Sequence, residues 1–147
     1  MQFFEDFTIG QVIELGKYTL TREEIIEFAE KYDPQPFHLS DEAAQNSIFK
    51  SLAASGWHTA SIYMRLFVDG LLKNSASQGS PGVEELRWVL PVRPNDTLTG
   101  KYRILDMRTS EKRPELGILY GMAEMYNQNN ELVMTFKGVG FYKRRPN

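Results

Sequence analysis

The chain has 147 residues, with 17 Lys and Arg against 19 Asp and Glu, a formal charge of −2 and no cysteine. That length suits one domain, spanning 1–147, with a core that needs no staples. The missing cysteine excludes a disulfide framework and thiolate metal sites, and the small net charge gives no electrostatic case for nucleic acid or a membrane surface. No apolar run approaches the roughly 20 residues that cross a bilayer. The segment Met1-Gln2-Phe3-Phe4-Glu5-Asp6 lacks the basic start and apolar stretch of a secretory signal. The expectation is a soluble, cytoplasmic globular domain.

In chain order, the first element is a strand near 11–20, after a turn at Gly10, carrying Val12, Ile13, Leu15 and Tyr18. A helix follows. Thr21-Arg22-Glu23-Glu24 is a capping box, in which the Thr21 hydroxyl and the Glu24 carboxylate each satisfy an orphan backbone N–H. Ile25, Phe28, Ala29 and Tyr32 then recur at helical spacing. Pro34 ends this helix, because a residue before proline is pushed out of the α region. A short helix over 39–49 is expected next, with Ser40 as its cap and Asp41 and Glu42 at its positive end.

From Ala54-Ser55-Gly56 to about Lys73 the pattern is a long helix, apolar almost all round. Ala60, Met64, Phe67, Val68 and Leu71 mark one face, and Trp57, Ile62, Tyr63, Leu66 and Leu72 fill most of the others. Arg65, Asp69 and Lys73 form the one charged stripe. Such a helix is expected to be buried on most sides, inside a sheet. Four strands supply that sheet, near 83–92, 97–108, 116–127 and 131–143, with turns at Arg93-Pro94-Asn95-Asp96 and Asn127-Gln128-Asn129-Asn130. Gly100, Gly121, Gly138 and Gly140 inside the strands point to strong coiling or close backbone approach. One strand, a long helix and then an antiparallel run is an α+β order.

The stretch most suited to chemistry is Tyr32-Asp33-Pro34-Gln35-Pro36-Phe37-His38. It sets an acid five positions before one of only two histidines, on a segment that two prolines keep out of a helix. Irregular segments anchored by a helix commonly carry functional side chains. The competing reading is a helix-end Asp and a packed or surface His.

With these residues in view, the chain resembles the MaoC-like dehydratases, the family of (R)-specific enoyl-CoA hydratases, over nearly its whole length. Phe4-Glu5-Asp6-Phe7 with Gly10 is similar to the family's opening. Asp33-Pro34-Gln35-Pro36-Phe37-His38 is similar to its Asp-x4-His motif, Ala54-Ser55-Gly56 to the start of its central helix, and Arg93-Pro94-Asn95-Asp96 to its Arg-Pro-Gly-Asp turn. Two positions depart from the pattern. Gln35 stands where a familiar version has Asn, which bears on how the acid is held. Asn95 replaces glycine, which is structural, since Asn tolerates φ > 0. The resemblance implies a hot-dog fold, a curved antiparallel sheet wrapped around a long central helix. It also implies a homodimer with the pocket near the interface, which would cover an open sheet edge.

Adding water across a conjugated double bond requires an activated water at the β carbon, a proton at the α carbon, and a stabilised charge on the thioester oxygen. Asp33 and His38 can share the first two by holding one water. Burial and mutual proximity can tune both groups towards neutral pH. A single water gives syn addition, and the resemblance implies an (R)-3-hydroxyacyl-CoA product from a trans-2-enoyl-CoA. The family's oxyanion role falls on Gly56, whose N–H opens a helix and is free at the positive end of its dipole. Without a side chain, Gly56 is expected to leave room for the thioester oxygen; its competing role is an ordinary helix start.

The remaining candidates have blander readings. His58, two positions after Gly56, could face the pocket, but it is read as a structural helix-start residue; Asp69 pairs with Arg65 or Lys73 at i, i+4. Trp57, Met64 and Phe67 are core residues that can overlap an acyl pocket. The tail Lys143-Arg144-Arg145 is read as a solvated end, the alternative being contact with a CoA phosphate. Two histidines and no cysteine make no metal ligand set, and neither a phosphate loop nor a nucleophile elbow is present. The expected enzyme therefore takes an acyl-CoA as substrate and works without metal or redox cofactor. The alternatives are a hot-dog acyl-CoA thioesterase, for which Asp69 is the only candidate acid on the central helix, and a non-catalytic acyl-thioester binding module.

Overall fold

Five strands form one antiparallel sheet in the computed structural model, which describes residues 1–147. In chain order the elements are β1 (Val12–Thr19), α1 (Arg22–Tyr32), α2 (Asp41–Ala44), α3 (Gly56–Gly70), β2 (Gly82–Trp88), β3 (Thr97–Thr109), β4 (Leu116–Tyr126) and β5 (Leu132–Lys143). The spatial order is β1-β3-β4-β5-β2, so β1 and β2 are the edges. The inner face follows the period-2 pattern of a half-buried sheet. Leu98, Tyr102 and Ile104 from β3, Leu119, Ala123 and Met125 from β4, and Met134, Phe136 and Tyr142 from β5 are all buried.

The central helix α3 lies on that face. Thr59, Ile62, Tyr63 and Leu66 make the buried row, at i, i+3, i+4, i+7. The Tyr63 hydroxyl donates to the Lys101 carbonyl at 2.8 Å, and the Tyr63 ring meets Phe136 edge-on at 5.2 Å. Truncating Ile62 or Leu66 to Ala should cost about 2–5 kcal/mol. At the far end of α3 a Cβ on Gly70 would lie 2.8 Å from the Leu15 backbone. Glycine there lets the helix settle on β1.

The order of elements and the α+β class match the sequence reading, with four differences. First, α3 is not buried on most sides: Trp57, Met64 and Val68 are exposed. Ala60 still packs against the core, but Met64 and Val68 are only partly covered, because the sheet of a single chain wraps one side of the helix. Second, the helix expected over 39–49 is a single turn, Asp41–Ala44. The Ser40 hydroxyl caps it by accepting from the Ala43 N–H at 3.1 Å, and turns follow. Third, β2 ends at Trp88; the Val89 N–H still donates to the Val133 carbonyl at 2.8 Å, and the chain has left the sheet by Pro91, which cannot donate to a ladder. Fourth, the two prolines do not keep the whole Pro34–His38 segment out of a helix. Pro36–His38 forms one 3-10 turn with Pro36 at its first position, where a missing N–H costs nothing.

Candidate active site

Asp33 is the residue on which α1 closes. The Thr21 and Glu24 capping box forms as read, with Thr21 Oγ1 accepting from the Glu24 N–H at 3.2 Å. Twelve positions later the Asp33 N–H donates to the Ala29 carbonyl at 2.9 Å and the helix stops. The following 3-10 turn carries His38 back towards it, bringing His38 Nε2 to 3.4 Å from Asp33 Oδ2. The His38 ring is 95% buried, between Phe37 and Phe49.

Each member of this pair is fixed by a partner. His38 Nδ1 lies 2.6 Å from the Ala53 carbonyl oxygen, which can only accept. Nδ1 therefore carries a proton, and in the neutral ring Nε2 is the lone-pair nitrogen, facing the carboxylate. Asp33 is held on both oxygens: Gln35 Nε2 donates to Oδ1 at 2.6 Å, and Ser55 Oγ donates to Oδ2 at 2.7 Å. Burial pulls the carboxyl upward. The hydrogen bonds from Gln35 and Ser55, with the nearby His38, outweigh that pull and keep it below the usual carboxylate range.

Gln35 thus takes hold of the acid directly, which answers the question its departure from the motif raised. Ser55 was not singled out in the sequence. Its signal was legible: a serine just before a helix is an N-cap candidate, and its hydroxyl accepts from the Trp57 N–H at 3.3 Å. The same hydroxyl points its hydrogen at Asp33, so one side chain starts α3 and orients the acid.

Gly56 is the first residue of α3, and its N–H meets no acceptor within the chain. The expected open approach beside it is filled, however. A Cβ on Gly56 would fall 2.5 Å from the indole of Trp88, so the missing side chain makes room for that ring. Trp57 and Trp88 meet edge to face at 5.1 Å. Asp33, His38, Gly56 and both indoles line one cavity of ≈ 540 Å³, whose remaining wall includes Phe49 and the Val89–Val92 segment. Arg93, next along, pins this wall. Its guanidinium donates to the carbonyls of Phe49, Ser51 and Leu52, while Asn95 takes a φ of 68° in the turn, as its side chain permits.

Larger cavities, ≈ 640 and ≈ 670 Å³, lie at the other end of the sheet, among exposed charged side chains of the tail and the β3–β4 turn. They hold neither the Asp33–His38 pair nor a free helix-start N–H. Asp69 is bound by Arg65 Nε at 2.7 Å on the outer side of α3, as the stripe implied. His58 is buried and stacked on Phe28 at 4.6 Å, outside the cavity of the Asp33–His38 pair.

A five-stranded antiparallel sheet around a central helix is the hot-dog fold. Within that fold, a held carboxylate beside an imidazole lone pair at the wall of a cavity has the parts that acid–base chemistry needs. The chain matches the family described as MaoC like domain over residues 5–123, and it belongs to that family. It is 33% identical over 135 residues to the uncharacterized protein YdeM of Bacillus subtilis, covering 91% of this chain and 92% of that one. With the (R)-specific enoyl-CoA hydratase of Rhodospirillum rubrum it shares 28% identity over 117 residues, 76% of each chain. The crystal structure of the MaoC-like dehydratase from Rhodospirillum rubrum superposes on it with a TM-score of 0.93, at 38% identity, covering 100% of both chains.

Proposed function

We propose that this protein is an (R)-specific enoyl-CoA hydratase or dehydratase, adding water reversibly across the double bond of a trans-2-enoyl-CoA. The observation that carries the reading is the pairing of His38 Nε2 with Asp33 Oδ2, each fixed from behind, at a cavity that also holds the free Gly56 N–H. A lone pair and a carboxylate oxygen both accept, so a water between them can donate one hydrogen to each. Its own lone pair then points outward, at an electrophilic carbon.

In the forward direction the water oxygen bonds to the β carbon. His38 Nε2 takes the proton released, since hydrogen bonds to both oxygens of Asp33 make its carboxylate the weaker base. The β-to-α π electrons move towards the thioester oxygen, where the Gly56 N–H receives the charge; such a donor is worth about 3 kcal/mol in the transition state. The imidazolium, stabilised by Asp33, returns its proton to the α carbon, and the thioester carbonyl re-forms. Oxygen and proton arrive from the same side, so the addition is syn. The indole of Trp88 lies beside this N–H, and its movement would admit the thioester.

The protein is also read as a homodimer. Edge strand β2 is unpaired on one side, and the exposed apolar residues Trp57, Met64, Val83 and Trp88 flank it.

The test is a panel of trans-2-enoyl-CoAs, following loss of the conjugated absorbance and then product chirality. Hydration to the (R) product is expected. Release of free CoA instead would establish the thioesterase alternative, against which the pairing of Asp69 with Arg65 already speaks. Binding without turnover of any enoyl-CoA would establish a non-catalytic acyl-thioester module.

A further inference from the structure

One group, the Ala53 carbonyl, holds the proton on His38 Nδ1. It acts against a competitor. Asp33 Oδ2 lies 3.4 Å from Nε2, and a carboxylate is the stronger acceptor. A ring released by Ala53 would turn its hydrogen to Nε2 and lose the lone pair there. The base therefore depends on where the Ala53 carbonyl points. Yet Ala53 belongs to no helix or strand: residues 45–55 are turns and irregular backbone.

Three consecutive peptide units fix that carbonyl, each bonded through both its N–H and its C=O. In the first, the Leu52 N–H donates to Asp41 Oδ1 at 2.9 Å, and the Ser51 carbonyl accepts from Arg93 at 2.7 Å. In the second, the Leu52 carbonyl accepts from Arg93 at 3.3 Å, and the Ala53 N–H donates to the Phe37 carbonyl at 3.1 Å. In the third, the Ala53 carbonyl accepts from His38, and the Ala54 N–H donates to the Val92 carbonyl at 2.8 Å. Just before them Lys50 takes a φ of 66°. A residue other than glycine keeps that conformation only where its surroundings impose it.

Two of the partners are charged side chains, and neither lines the cavity of the Asp33–His38 pair. The planar fork of Arg93 reaches a third carbonyl, that of Phe49, at 2.7 Å. Asp41 stands at the start of α2, but a charge serving only that helix has no need of a backbone N–H eleven residues on. Its other oxygen pairs with Arg22, the first residue of α1, the helix that closes on Asp33. The bond from Leu52, helped by Arg22, outweighs desolvation and holds the Asp41 carboxyl below the usual carboxylate range. Asp41 is thus an ionised acceptor at neutral pH.

Resting on the hydratase reading, we infer that Asp41 and Arg93 are positioning residues for the acid–base pair. They clamp residues 51–53 so that the Ala53 carbonyl keeps the proton on His38 Nδ1 and leaves Nε2 as the base.

The test reads the tautomer itself, by 15N NMR of histidine-labelled protein at a pH where both imidazoles are neutral, with His58 as internal reference. The Asp41 side chain is half exposed, so Asp41→Ala should fold. It should raise the Nε2–H form of His38 and leave the His58 signals in place. For enoyl-CoA hydration kcat should fall about tenfold, with KM within about twofold. Asp41→Asn keeps an oxygen for the Leu52 N–H and should restore most of both. Arg93→Lys, a point charge in place of a fork, should shift the tautomer in the same direction as Asp41→Ala. His38 keeping its Nδ1–H form in both Asp41→Ala and Arg93→Lys would overturn the inference, even where activity falls. A shift as large in Asp41→Asn as in Asp41→Ala would overturn it too, because the ion pair with Arg22, not the clamp, would then set the tautomer. The expected tautomer shifts in a protein that hydrates no enoyl-CoA would instead sink the hydratase reading alone.

Discussion

The two histidines of this chain are buried to nearly the same degree, yet their surroundings differ in kind. His38 has one ring nitrogen tied to a carbonyl and the other turned to a carboxylate at the edge of a cavity. His58 is stacked flat on Phe28, and its Nδ1 is sealed in without any partner. Burial holds His58 below its ordinary range, against a smaller upward pull from Glu24. Burial alone therefore makes a packed residue. A site needs burial together with a fixed tautomer and a carboxylate close to the other ring nitrogen.

Exchanging the essential group on each side tests this contrast most severely. Asp33→Asn and His38→Ala should each lower the rate constant for hydration by about 10²- to 10⁴-fold, the range for acid–base groups. Circular dichroism and melting should show both variants folded. Unreduced hydration in both would remove the pair from the chemistry.

Ser55→Ala comes next. It takes a donor from Asp33 Oδ2 and a cap from α3, costing about 1 kcal/mol in stability and about tenfold in activity. The Asp33 carboxyl itself, followed by NMR, should titrate at higher pH, because a donor that keeps it low is gone. Ser55→Thr should restore most of these losses. An Asp33 titration that stays in place would mean that Ser55 is a cap and nothing more. Gln35→Ala should move the Asp33 titration in the same direction through Oδ1, with the helix cap left intact.

His58→Leu should have the smallest effect on activity, within about twofold, but it should change stability with pH. The folded-state pKa of His58 lies below the unfolded value near 6.5. The folded state thus favours the neutral ring, and the resulting stability is fully present above pH 6.5 and lost as pH falls through the folded pKa. Urea midpoints from pH 7.5 to 5 should fall less steeply for His58→Leu than for the unaltered protein. Asp33 behaves alike at lower pH: its depressed carboxyl supports the fold above about pH 4, and that support is lost in stronger acid.

Much of this contrast was legible in the sequence. Asp33 and His38 stood out because prolines isolate them from α1, and the capping box and Pro34 fixed the helix that presents Asp33. Asp69 was read as a paired surface residue from its i, i+4 spacing alone. What was hidden required contacts distant in sequence. The Ala53 carbonyl that sets the His38 tautomer, the Ser55 hydroxyl under Asp33 and the Trp88 ring against Gly56 all depend on how α3 meets the arm and the end of β2. The exposure of Met64 and Val68 was misread for a related reason. Hydrophobicity around α3 records every surface that the helix covers, and a sheet from one chain wraps only one side.

The central claim is that one water, held between Asp33 and His38, supplies both the oxygen and the α proton from a single side. Hydrating a short trans-2-enoyl-CoA in D2O and reading the product by NMR tests it directly. The account predicts the (R) alcohol with deuterium at the α carbon on the same face as the new oxygen. Deuterium on the opposite face, or equally on both, would contradict it.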